Sequence, residues 1–180
     1  MKIQRLIEEI PTIEQLKKSS FDIYHDFKCV FCKKKKEDFN HHVWSCRYNR
    51  KRMKQIISRT IKKFVSLLEE FNIMITNEQI LTINNLDIFK QKFNTNNFNF
   101  IDLIKGIIPV QIYNLTLEIL GTNQVNKAKE IGINLLQYVF KETKEHIWQP
   151  RCEELKKIEK IYGITKEDKK KPDSVFLKEK

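Results

Sequence analysis

Glycine and proline number only four each in 180 residues, against many Lys, Ile, Asn and Glu and 41% hydrophobic residues. That scarcity reads as a helical, globular chain rather than a disordered one. Long apolar runs are missing as well. No stretch approaches the roughly 18 apolar residues of a membrane span, and Glu8 and Glu9 stand where a signal peptide needs its apolar run. The expectation is a soluble, intracellular protein, not secreted and with no membrane partner, nucleus or cytoplasm being left open. Cysteine is limited to four residues, three of them in one tight pattern, which argues for a reducing setting and against a disulfide framework. Catalytic signatures are absent: there is no Tyr-x-Asp-Asp metal loop, Gly-rich phosphate loop, Gly-x-Ser-x-Gly or His-Glu-x-x-His. Helical pairs such as Glu69-Glu70 read as solvated faces, so no active site is expected and the chain is not read as an enzyme.

What is present begins with Cys29-x2-Cys32-x8-His41-x4-Cys46. Three thiols and an imidazole within one short segment can close a tetrahedral zinc site, because Zn2+ favours thiolate sulfur and imidazole nitrogen and four such ligands leave no open position. His42 follows His41 directly, so Cys-x2-Cys-x9-His-x3-Cys is equally possible on spacing alone. Phe31 and Trp44 are the large apolar residues inside the loop. A segment this short has no core of its own, and metal would supply most of its folding energy, about 10–16 kcal/mol in comparable peptides. Cys152 and His146 lack a Cys-x-x-Cys partner and read as helix residues rather than a second site.

Periodicity organises the rest. Thr12 to Gln15 is a capping box opening a helix to about Ser19, and residues 20–46 are irregular and metal-organised. From 47 to 71, Met53, Ile57, Ile61, Phe64, Leu68 and Phe71 fall at helical spacing. Short helices are expected near 77–83, after the box Thr76 to Gln79, and near 86–92, with an Asn-rich loop at 93–99. Pro109 and Gly121 bracket a helix with Val110, Tyr113, Leu117 and Leu120 on one face. A long helical pattern over 123–162 carries Val125, Ala128, Ile131, Leu135, Tyr138 and Phe140, then Ile147, Leu155, Ile158 and Ile161. Pro150 should break it near Ile147, and Gly163 should end it. The expected fold is mostly α, a small Cys3His zinc knuckle between helices followed by a helical body. The expected division is 1–46 for the N-terminal helix and knuckle, 47–165 for the body and 166–180 for a disordered basic tail. On this division, chelation should cost structure in 20–46 and spare the helices of 100–162.

Pro11-Thr12, Leu16, Lys17-Lys18, Cys29, Cys32, Glu37-Asp38, His41, Trp44 and Cys46 follow one another in the order seen in a known family. The segment resembles the zinc-binding domain found C-terminal to the reverse transcriptase of non-LTR retrotransposons. The resemblance implies the first histidine, His41, as ligand, and a reverse transcriptase or other retroelement protein as partner. Glu145 to Glu154 is similar to helical tails of fungal open reading frames related to these elements. The polymerase and ribonuclease H, which do the chemistry there, have no counterpart in these residues. A retroviral nucleocapsid knuckle is a poor match: it has four residues between the second Cys and the His where this chain has eight.

Charge is the last signal. Residues 28–63 hold 13 of the 34 basic residues and only Glu37 and Asp38 of the 23 acidic ones, a net charge of +11 that equals that of the whole chain. A surface for RNA or DNA is expected there, with Lys33, Lys34, Lys35, Lys36, Arg47, Arg50, Lys51 and Lys54 on phosphates and Trp44 or Phe31 on a base. The expected function is a non-catalytic, zinc-dependent nucleic-acid-binding accessory module of retroelement origin. The alternative is a zinc-stabilised helical protein-interaction module, or a relic of such an element.

Overall fold

A computed structural model describes residues 11–71, 74–90 and 99–170. Every regular element among them is helical: α1 (Ile13–Ser19), α2 (Phe21–Tyr24), α3 (Arg47–Glu69), α4 (Asn77–Asn85), α5 (Phe100–Ile104), α6 (Val110–Leu120), α7 (Val125–Thr143) and α8 (Gln149–Ile161). Single turns at His41–Ser45, Asp87–Phe89, Lys144–Trp148 and Asp168–Lys170 complete the set. The fold is mostly α, with a Cys/His cluster among the helices. No described helix is long and apolar enough to cross a membrane. Most of the Asn-rich loop and the end of the basic tail lie outside the described residues.

Local chemistry accounts for the boundaries. The Thr12 hydroxyl accepts the Gln15 N–H at the start of α1, and Thr76 and Gln79 form a reciprocal capping box at α4. A similar box between Asn99 and Asp102 starts α5, a helix the periodicity did not reveal because it is only five residues long. α8 ends where Gly163 turns to φ +67°. There the Ile164 N–H reaches the Glu159 carbonyl at 2.9 Å and the Gly163 N–H reaches Lys160, satisfying carbonyls that the last turn would leave open.

The break expected near Ile147 is a π turn over Lys144–Trp148. It delivers Pro150 into the first turn of α8, where a missing N–H has no helical partner to lose. This placement matters for organisation, because α8 does not extend the body that precedes it. The described residues divide into two compact units. One is Lys54–Lys144; the other joins the described parts of 5–53 and 145–180. The expected boundary at 46/47 therefore does not coincide with the observed one, which falls inside α3 and gives α8 to the knuckle.

In the Lys54–Lys144 unit, α3 buries Ile56, Ile57, Phe64, Leu67 and Leu68, and α7 buries Ala128, Ile131, Leu135 and Val139. α7 packs on both α5 and α6. The face expected on α6 is displaced: Ile112, Leu115 and Thr116 are buried, whereas Val110 is 54% exposed. Four apolar residues on α6 lie beside the true stripe, and the sequence could not choose between adjacent faces. In the other unit, Ile13, Tyr24, Val30 and Leu155 form the buried centre, packed by Leu16, Ile23, Phe27, Phe31 and Ile158. That cluster includes Val30 and Phe31, the two residues between Cys29 and Cys32.

Candidate metal centre

The Cys29-Val30-Phe31-Cys32 turn is closed by two backbone bonds, Lys33 N–H to the Cys29 carbonyl and Cys29 N–H to the Lys35 carbonyl, both 2.9 Å. The turn requires a left-handed residue, and Lys33 adopts it at φ 57° without the freedom of glycine. On the other side, the Asp38 carboxylate accepts the His41 N–H at 2.6 Å, and a π turn over His41–Ser45 carries the chain to Cys46. The Cys46 N–H bonds the His41 carbonyl at 2.7 Å, and the Cys46 carbonyl then accepts from Asn49 and Arg50 as α3 begins.

These elements bring the Cys29, Cys32 and Cys46 sulfurs and a His41 nitrogen within 4.8 Å of one another, and the four can bind a metal ion. Cys29 Sγ and Cys46 Sγ are 3.8 Å apart, and Cys32 Sγ lies 3.4 Å from His41 Nε2. A tetrahedral zinc site with Zn–S near 2.3 Å and Zn–N near 2.0–2.1 Å has edges of about 3.8 and 3.5 Å, which these two separations match. The backbone amides of Phe31 and Cys32 bond Cys29, and those of Tyr48 and Asn49 bond Cys46. Such amides favour thiolates. Contact with Cys46, then burial, push the Cys29 thiol up, while the same contact brings Cys46 down to about 7. A metal cation binds the deprotonated form of both.

Of the two histidines that spacing left open, His41 is the one whose nitrogen lies in the cluster. His42 is fully buried and lies outside the cluster, stacked on Phe31 at 6.1 Å and edge-on to Trp148 at 6.0 Å. Burial lowers its pKa to about 4, so it stays neutral and serves as a core aromatic. Cys152 is free and half-buried, and it does not join the cluster.

Beneath the cluster is a feature that sequence reasoning missed. Glu37 and Arg151 are both fully buried and paired, Nη2 at 2.6 Å and Nε at 2.7 Å from Oε1. Glu37 also accepts the Ile13 N–H at 3.2 Å and the Val30 N–H at 2.9 Å. One carboxylate thus fastens α1, the Cys-x-x-Cys turn and α8. A second tie runs from Tyr24 Oη, which donates to Glu159 Oε1 at 2.6 Å, while Lys169 holds the other Glu159 oxygen. Burial and the bond to Glu159 push the Tyr24 phenol up. No local spacing could reveal a pair separated by 114 residues. Position 37 carried the only hint, as an acidic residue inside an otherwise basic block.

Lys33, Lys34, Lys35, Lys36, Arg47, Arg50, Lys51 and Lys54 are all exposed. Lys33 approaches Glu154 at 3.9 Å, and both acidic residues of the block are engaged, Glu37 in the core and Asp38 on the His41 amide. Trp44 is half-buried. Tyr48, two residues after Cys46, is more exposed, at 49%. No family model, curated protein or solved structure matches this chain.

Proposed function

We propose that this chain is a non-catalytic nucleic-acid-binding module of retroelement origin, ordered by a zinc ion on Cys29, Cys32, His41 and Cys46. One observation carries the reading: the chain's entire excess of positive charge lies within 28–63, and Lys33, Lys34, Lys35, Lys36, Arg47, Arg50 and Lys51, in the unit that holds the Cys/His cluster, are exposed. Zinc supplies folding energy and charge balance. Three thiolates and an imidazole around it leave a net charge of about −1, which the adjacent lysines offset. The retroelement origin is supported by the order of motif residues from Pro11 to Cys46, and no catalytic role is assigned.

The zinc assignment is tested by substitution at the paired histidines. His41→Ala should release the metal, whereas His42→Ala should keep one zinc per chain at neutral pH while lowering stability, since it removes a packed ring rather than a ligand. Equal metal loss from both would overturn the ligand set.

Polynucleotide binding is tested through its salt dependence. Affinity for single strands should fall with a log–log slope of about −0.7 per phosphate contacted, or about −3 to −4 for five contacts. Replacing Lys33, Lys34, Lys35 and Lys36 together should flatten that slope and weaken all sequences alike, because phosphate contacts position without reading bases. Absence of salt-dependent binding to either DNA or RNA at low ionic strength would leave the interaction-module reading. That second reading draws on an apolar cavity of about 480 Å³ lined by Ile108, Val110, Tyr113, Ala128, Lys129 and Ile133.

A further inference from the structure

The aromatic residues around the knuckle form a ladder that runs from the core to solvent. His42 is fully buried, Phe31 stacks on it at 6.1 Å with planes 11° apart, and Tyr48 follows at 6.4 Å and 29°. The outermost ring is half exposed. Two guanidinium groups attend the ladder: Arg47 lies 4.9 Å from the Tyr48 centroid and donates to its hydroxyl at 3.1 Å, and Arg52 lies 5.6 Å from the Phe31 centroid. The frame behind them is fixed. Arg52 donates to Asn49 Oδ1, and the buried Asn49 in turn donates to the His42 carbonyl at 2.8 Å. Phe31 lies between two of the cysteines, and Tyr48 comes two residues after the last, so the metal cluster sets the distance between the rings.

A single exposed tyrosine needs no explanation. One held at the end of a ring stack, half exposed, with a guanidinium bonded at its hydroxyl end and inside the most positive segment of the chain, offers its exposed side to another flat π system. Bases within a duplex have both faces covered by their neighbours, so only an unpaired base can use such a face. Building on the nucleic-acid reading above, we infer that the knuckle binds single-stranded nucleic acid, with one unpaired base stacked on Tyr48. The flanking phosphates lie on Arg47, Arg50 and Lys51 to one side and on the Lys33 to Lys36 run to the other. Stacking tolerates every base, so sequence preference is weak. Tyr48 takes the role that the sequence suggested for Trp44.

The experiment measures affinity of the full, zinc-loaded chain for a fluorescent homopolymeric single strand and for a blunt duplex of equal length, at several salt concentrations. Tyr48→Ala should weaken single-strand binding by about 5- to 100-fold with the salt slope unchanged. It should leave duplex binding and zinc content as they were, because the ring is exposed and ligates nothing. Tyr48→Phe should restore affinity, since the face and not the hydroxyl carries the contact. If Tyr48→Ala binds single strands like the native chain while replacement of the four lysines still weakens binding, the stacking platform is wrong and the nucleic-acid reading survives. Equal loss on single strand and duplex would also overturn the platform. If no substrate binds in a salt-dependent way, the nucleic-acid reading itself fails and takes the platform with it.

Discussion

Chelation should unfold the unit that contains the cysteines together with α8, and leave Lys54–Lys144 helical. Among the described residues, the apolar cluster on which α8 packs centres on Ile13, Tyr24, Val30 and Leu155, supported by five partly buried neighbours. The core of a small domain rarely supplies more than about 3–5 kcal/mol, whereas structural zinc contributes on the order of 10–16 kcal/mol in small domains. Metal therefore dominates the balance. α8 goes with it because Leu155 and Ile158 pack on that core and Arg151 is buried in it. Lys54–Lys144 has its own apolar interior on α3, α5, α6 and α7 and no ligand in the cluster. Hydrogen exchange read by mass spectrometry, with and without chelator, separates the segments. Protection of 149–161 should collapse along with 20–46, and protection of 125–143 should persist. Retained protection in 149–161 would refute this coupling, and it would favour the simpler division at 46/47 that periodicity suggested.

The second large effect belongs to Glu37→Ala. Removing the carboxylate leaves the Arg151 guanidinium in the interior without its counter-charge, a loss of about 3–5 kcal/mol. It also strands the Ile13 and Val30 amides, at about 1–3 kcal/mol for each buried donor left unpaired. Arg151→Leu should cost less, because Glu37 keeps both backbone donors and leucine fills part of the space. Glu37→Gln should fall between native and alanine, since the amide oxygen can still accept while the charge is gone. The exposed pair Lys63–Glu70 serves as a control, and its removal should change stability by no more than about 1 kcal/mol. Urea denaturation of the zinc-loaded chain, with metal release followed in parallel, measures the series. Glu37→Ala should shed zinc at lower denaturant than native protein. A change of under about 1 kcal/mol would mean that the buried pair does not fasten the unit.

These two predictions depend on a division of labour between local pattern and tertiary packing. The Cys/His cluster was readable from spacing, because a metal site selects donor types and the chain lists them within one segment. Helix boundaries at Thr12, Thr76, Pro109, Gly121 and Gly163 were readable because caps and breakers act on backbone groups three or four residues away. Charge concentration could be counted directly. The choice between His41 and His42 could not be made from spacing, since adjacent residues differ only in the direction the backbone sends them. A π turn sends His41 to the sulfurs and His42 into the core. The buried face of α6 was misplaced for a similar reason, because apolar residues on two neighbouring stripes are resolved only by what packs against them.

Residue order alone thus determined the helical class, the donor set and the basic block, all of which rest on interactions within a few residues. Tertiary structure decided that α8 belongs to the knuckle, that Glu37 is a buried partner of Arg151 rather than a surface acid, and that Tyr48 is a more exposed ring than Trp44. Each of those depends on contacts between residues far apart in the chain, or on which side of a packed element faces water. The physical reason is common to all three: burial and pairing are properties of the assembled surface, and no periodicity along the chain encodes the partner.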